Sequence, residues 1–196
     1  MPARTRAVFI FLIGLAALIA AGSIMLLSQD NPAGRATVAP RFTLTDQDGK
    51  QVTERDFRGK AMLVFFGFTN CPDVCPLTLQ KIADTLELAP DLAGKLTPVF
   101  ISVDPERDTP AKMKAYAAYF SPEIRALSGT PEQTAEVISA FKVYAKKVPL
   151  PDSALGYTMD HSSLIYLYDA NGAFVTGWDP TIASEKLAAE LKQNVK

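Results

Sequence analysis

The sequence predicts an α/β domain with a central mixed sheet and helices on both faces, set behind a single N-terminal membrane-spanning helix. Three observations carry this. Residues 61–67 (AMLVFFG) and 99–103 (VFISV) are uninterrupted apolar runs of strand length, the pattern of strands covered on both faces. Helical periodicities alternate with them, two of them opened by Thr-Pro pairs at 109–110 and 130–131. Residues 7–27 hold 21 positions without a charge.

That first segment spans about 31 Å as a helix, against a hydrocarbon core of about 30 Å. Arg4 and Arg6 precede it, and the first acidic residue is Asp30. Positive charge ahead of the span keeps the N-terminus in the cytoplasm and sends the remainder outward. A cleaved signal peptide is the alternative, with Ala20-Ala21-Gly22 as a small-residue cleavage site; the run exceeds the usual signal core of about 7–15 residues. The few residues before the span point to a bacterial inner membrane, with a periplasmic domain, rather than to a mitochondrial leader. The expected organisation is an anchor over 1–28, a linker over 29–40 (polar, small residues, two prolines) and a domain over 41–196.

Within the domain, residues 42–44 and 51–52 flank Asp46-Gln47-Asp48-Gly49 and predict a hairpin. Strand 61–67 leads to a helix from Pro76 to Ala89, with Leu79, Ile82, Ala83 and Leu86 on one face. Strand 99–103 leads to the helix capped by Thr109, where Tyr116, Tyr119 and Phe120 are spaced to face a core. The residues Thr130-Pro131-Glu132-Gln133 form a capping box, and Ala135, Val137, Ile138 and Phe141 follow on its helix. Residues 163–168 and 173–176 predict a second hairpin across Asp169-Ala170-Asn171-Gly172. A last helix spans 181–193. Sheets of this order carry their sites at the carboxyl ends of strands.

Composition narrows the chemistry. Lysine plus arginine number 20 against 21 aspartate plus glutamate, a net charge of −1, so nothing favours nucleic-acid binding. Two cysteines cannot make a disulfide scaffold, and one histidine excludes a three-histidine zinc site or a two-histidine iron triad.

Both cysteines follow the first buried strand, in Cys71-Pro72-Asp73-Val74-Cys75-Pro76. Pro76 lacks an amide proton, which is harmless only in a helix's first turn, so the helix is expected to start there with Cys75 near its N-cap. The positive helix end eases thiolate formation, and Asp73 opposes it. Two such thiols read as core cysteines, a redox pair or a metal site. Two prolines and an aspartate make a poor core segment. Redox motifs of the common kind are Cys-x-x-Cys, whereas three residues intervene here. The wider bite suits an ion and does not forbid a disulfide. His161 stands at the entrance of strand 163–168, which can lie beside strand 61–67 and bring the ring to the cysteine turn. Two thiolates and an imidazole suit Cu(I), and imidazole accepts copper in either oxidation state. Zinc would want a fourth ligand. A lone histidine is otherwise an ordinary surface or structural residue.

The chain resembles the SCO/SenC family of membrane-anchored, thioredoxin-like copper chaperones. The resemblance runs from about Pro40 to Lys196 and rests on three blocks: residues 66–76 (FGFTNCPDVCP), residues 102–110 (SVDPERDTP) and Asp160-His161-Ser162. It implies copper ligands at Cys71, Cys75 and His161, holding Cu(I) or Cu(II). It also implies delivery of copper to the CuA site of cytochrome c oxidase subunit II or another copper acceptor, or reduction of that site's cysteines, with other copper chaperones as partners. Thioredoxins carry a cis-proline where His161 and Ser162 stand here, which weakens an oxidoreductase role. Block 102–110 also reads as scaffold, since Asp104-Pro105 ends a strand and Thr109-Pro110 caps a helix.

The competing function is a thiol–disulfide reductase using Cys71 and Cys75. A peroxiredoxin-like peroxidase fits poorly, because Val64 and Phe68 stand where its motif needs proline and threonine. An anchored binding domain without chemistry does not explain where the cysteines sit. His161 separates the first two readings: a metal site needs it and dithiol exchange does not.

Overall fold

The computed structural model describes residues 40–196. Nine strands and four α-helices follow one another: β1 (Thr43–Asp46), β2 (Gln51–Thr53), β3 (Ala61–Gly67), α1 (Val74–Leu88), β4 (Leu96–Ser102), α2 (Pro110–Phe120), β5 (Arg125–Ser128), α3 (Pro131–Ala140), β6 (Ala145–Leu150), β7 (Gly156–His161), β8 (Ile165–Tyr168), β9 (Phe174–Trp178) and α4 (Ser184–Asn194). Seven strands form one sheet in the order β2-β1-β5-β4-β3-β8-β9, and β6 and β7 pair separately. β3, β4 and β5 are parallel; β1 and β8 join them antiparallel. The sheet is therefore mixed, as expected.

β3 lies between β4 and β8, and all seven of its residues are buried. Its continuous apolar run is what a strand covered on both faces requires. α1 packs against α2 and α4, and α3 against β1. The caps read from the sequence are present. Thr109 accepts from the Lys112 amide, and Thr130 and Gln133 form the reciprocal box. Gly49 and Gly172 turn the two expected hairpins with φ of 81° and 78°.

Three expectations need correction. α1 starts at Val74, two residues before Pro76, so Cys75 is inside the first turn rather than at the cap. Pro76 is tolerated as the third helical residue because that N–H has no intrahelical partner either. Tyr119 is 82% exposed. At about 100° per residue it falls roughly 120° from Met113, the fully buried residue that marks the inner face of α2. β5 and the β6–β7 ribbon are added in segments where the sequence predicts no element. β5 is too short for a periodic signal, and β6 (AKKVPL) carries two lysines and a proline. His161 closes β7 rather than opening the following strand, which begins at Ile165.

Among the described residues no helix is long and apolar enough to cross a membrane. The expected anchor over 1–28 lies outside them.

Candidate metal centre

β3 delivers the chain to the cysteine loop from the middle of the sheet. Gly67, its last residue, leaves no room for a side chain: a Cβ there would stand 2.8 Å from Cys75 Sγ and 2.9 Å from the Phe100 ring. The Cys75 sulfur is thus packed against bare backbone, and the residue is fully buried. Cys71 is half-buried in the loop ahead of α1, and both thiols are free.

The Cys75 amide donates to Cys71 Sγ at 3.4 Å. Asp73, the N-cap residue, makes no side-chain cap bond. The Cys71 sulfur therefore occupies the place of an N-cap acceptor, where amide protons and the helix dipole favour negative charge. Its pKa falls from 9.0 to about 4, first through the hydrogen bond from the Cys75 thiol, against the cost of burial, and then through His161 and the Asp73 and Cys75 amides. The Cys75 thiol moves the opposite way, raised by its bond to Cys71, by burial and by the charge on Cys71. The pair thus shares one proton, held by Cys75.

His161 reaches this pair from 86 residues away, with Nε2 at 3.7 Å from Cys75 Sγ. Its Nδ1 lies 2.9 Å from the Ser162 carbonyl, which can only accept, so Nδ1 carries the proton and Nε2 of the neutral ring presents its lone pair to the sulfur. Phe65 and Phe68 meet the ring edge-on, at 6.4 and 5.8 Å. All three sequence-predicted residues are therefore brought together. They touch in pairs rather than around one centre: among the described residues no trio of His, Cys, Asp or Glu is already arranged to hold an ion.

The loop joining β4 to α2 sits beside this cluster, and its residues act as scaffold, as read for block 102–110. Asp108 is fully buried and accepts from the Thr69 amide at 3.1 Å, the Thr69 hydroxyl at 2.5 Å and the Ser102 hydroxyl at 2.7 Å. Thr69 lies two residues before Cys71, so a core carboxylate fixes the cysteine loop. Asp104 and Arg107 form an ion pair, and Asp104 accepts from the Tyr157 hydroxyl at 2.7 Å. Arg107 Nη1 donates to the Tyr157 carbonyl at 3.1 Å, and its guanidinium stands 3.7 Å from the Tyr157 ring centroid and 5.9 Å from that of Phe68. Burial and the bond to Asp104 raise the Tyr157 pKa. Sequence reasoning singled out block 102–110 but not Tyr157, whose partners lie about 50 positions away in the chain.

The SCO1/SenC family model matches residues 30–196. The chain belongs to that family. Among its relatives, the SCO2-like protein of Rickettsia felis is 37% identical over 153 residues, 78% of this chain and 75% of that protein. The structure of Bradyrhizobium japonicum ScoI with copper bound superimposes with a TM-score of 0.73 and 49% identity, covering 80% of this chain and 98% of ScoI. BsSco, described as a member of the Sco family of cytochrome c oxidase assembly proteins with a disulfide switch, matches at 26% identity and a TM-score of 0.56, covering 78% of this chain and 90% of that one. The mixed sheet with flanking helices is the architecture this SCO1/SenC domain shares with ScoI.

Proposed function

We propose that the protein is a copper chaperone that takes part in assembling the CuA site of cytochrome c oxidase, binding copper through Cys71, Cys75 and His161. The observation that carries this is Nε2 of the chain's single histidine lying 3.7 Å from the Cys75 sulfur. Dithiol exchange alone has no use for that ring. Copper is the cargo. Cys71 supplies a thiolate at neutral pH without losing a further proton, Cys75 releases its proton on binding, and His161 adds nitrogen. Closing the three donors around one ion means replacing the pairwise contacts, Cys75 amide to Cys71 Sγ and Cys75 Sγ to His161 Nε2, by bonds to the metal. Transfer then proceeds by replacing these ligands in turn with those of the acceptor, cytochrome c oxidase subunit II or another copper site. The copper-bound ScoI and the description of BsSco support the reading.

The same reading places residues 1–28 in a bacterial inner membrane as a single-pass anchor, with 29–40 as tether and 41–196 in the periplasm. It rests on Arg4, Arg6 and the uncharged run of 7–27.

A thiol–disulfide reductase is the second reading, favoured by the Cys71 thiolate next to a protonated Cys75. Cys71 would attack an acceptor disulfide, and Cys75, deprotonated, would displace the mixed disulfide, leaving Cys71–Cys75 oxidised and two acceptor thiols reduced. Anaerobic copper titration of the reduced protein separates the two. Loss of either cysteine is expected to abolish Cu(I) binding. His161→Ala is expected to spare much of it, because Cu(I) accepts two sulfurs, and to weaken Cu(II) binding at least about tenfold. Unchanged Cu(II) affinity in His161→Ala would move the reductase ahead.

A further inference from the structure

The β6–β7 ribbon that ends in His161 lies outside the seven-stranded sheet. Two strands alone are marginal in water, so something else must hold this pair in place. Along β7 the side chains of Tyr157, Met159 and His161 fall on one face, because successive residues alternate. All three are partly covered, and Met159 packs on the core. At the far end of that face the Tyr157 ring lies on the Arg107 guanidinium, its carbonyl takes a hydrogen bond from Arg107, and its hydroxyl reaches Asp104.

We propose that Arg107 is a positioning residue for His161. It fixes the origin of β7 through Tyr157, and through Phe68 it touches the ring that also flanks the imidazole. Arg107 is poorly explained as a stabilising residue. Its side chain is 18% exposed, and Nη2 is buried without a hydrogen-bond partner. An imperfectly satisfied buried charge is weak for stability, and an apolar residue of like volume would often serve as well. What an apolar residue cannot do is grip one backbone carbonyl, one carboxylate and one ring face together. A planar guanidinium does this, and the point charge of lysine does not.

Asp108 performs the parallel task for the other half of the cluster by holding Thr69 ahead of Cys71. One short loop therefore sets the thiols through Asp108 and the imidazole through Arg107. The proposal rests on the copper reading only for its metal measurement.

His161 is the only histidine, so its carbethoxylation by diethyl pyrocarbonate, followed at the imidazole absorption band, reports on this ring alone. The experiment uses the full chain, reduced and metal-free in detergent, with Arg107→Lys and Tyr157→Phe as variants. Arg107→Lys keeps the charge and is expected to speed modification about tenfold, and Tyr157→Phe about threefold, while amide exchange in β3 stays at the wild-type rate. Loaded with Cu(II), Arg107→Lys is expected to show weakened nitrogen coupling in its paramagnetic resonance spectrum. Wild-type modification rates in both folded variants overturn the proposal, and so does acceleration matched by equally faster exchange in β3, which would mark a general structural role. If Arg107→Lys fails to fold, Tyr157→Phe decides by the same criteria. A wild-type chain that binds no copper overturns the chaperone reading and leaves the modification rates to decide on Arg107.

Discussion

The two halves of the cluster stand on unlike ground. The cysteine half grows out of β3, a strand buried along its whole length and hydrogen-bonded to neighbours on both sides. The histidine half ends a two-stranded ribbon whose β6 residues are mostly exposed or half-exposed. The first is held by the whole core, the second by Met159 packed on that core and by a few named contacts with the loop from Asp104 to Asp108. A site built this way has one part that cannot move without unfolding and one part whose position depends on single side chains.

That contrast is testable, beginning with its strongest consequence. Phe66 on β3 is fully buried against Phe141 and Tyr166. Phe66→Ala is expected to destabilise the domain by about 3–5 kcal/mol in chemical denaturation. A loss below about 1 kcal/mol would mean that β3 is not the rigid half.

Gly67→Ala probes the junction between that strand and the thiols. Its new methyl overlaps Cys75 Sγ and Phe100. A cost of about 1–3 kcal/mol is expected in the same denaturation assay. Cys75 is expected to become measurably alkylated in the native state, because the sulfur has to leave its pocket. A native Cys75 as inert as in the wild type would show that the close packing does not hold it.

The third consequence is a pH dependence. The Cys71 pKa of about 4 predicts that an alkylating reagent labels Cys71 at nearly constant rate from pH 8 to pH 5, losing half its rate near pH 4. An ordinary thiol, near pH 8.5, would slow about tenfold per pH unit over that range. The linkage has a definite sign. Because the folded pKa of Cys71 is depressed from 9.0, its contribution to stability is complete above about pH 9 and is lost as pH falls toward 4. Cys75, raised in the folded state, works against folding above pH 9, where only the unfolded thiol ionises. Cys71→Ser is expected to flatten the rise in stability between pH 4 and pH 9, as read from thermal melts. An unchanged slope would remove the asymmetry between the thiols.

The smallest effect belongs to the ribbon's outer tie. Lys147 pairs with Glu106 at 2.6 Å with both side chains about half exposed, and it also lies over Tyr157. Lys147→Ala is expected to change unfolding free energy by less than about 1 kcal/mol. A larger loss would show that the ribbon is anchored from outside as well as through Arg107.

Much of this architecture is legible in the chain itself. The run AMLVFFG reads as a strand covered on both faces, and it is one. Thr109-Pro110 and the box at Thr130 name their helix starts, and Gly49 and Gly172 name their turns. These signals are local: they depend on residues within one element. Tyr119 is an exception: its spacing with Tyr116 and Phe120 predicts a core-facing position, whereas its angle on α2 turns it outward. The ribbon carries no such local signal: Lys146, Lys147 and Pro149 suit a loop, and its pairing partner lies beyond the turn at 151–155.

For the site, residue types and spacing determined the candidates: two thiols at one strand end, and one histidine before a strand able to pair with it. The pairing of β8 with β3 bears out that route. Only the tertiary structure decided the rest. It placed Cys71 as acceptor for the Cys75 amide, set Nε2 toward a sulfur 86 positions away and converted block 102–110 into a double clamp. The reason is physical. Side-chain identity sets what a group can donate, accept or ionise, whereas distance and desolvation determine which of these it does, and both arise only when strands remote in sequence are packed together.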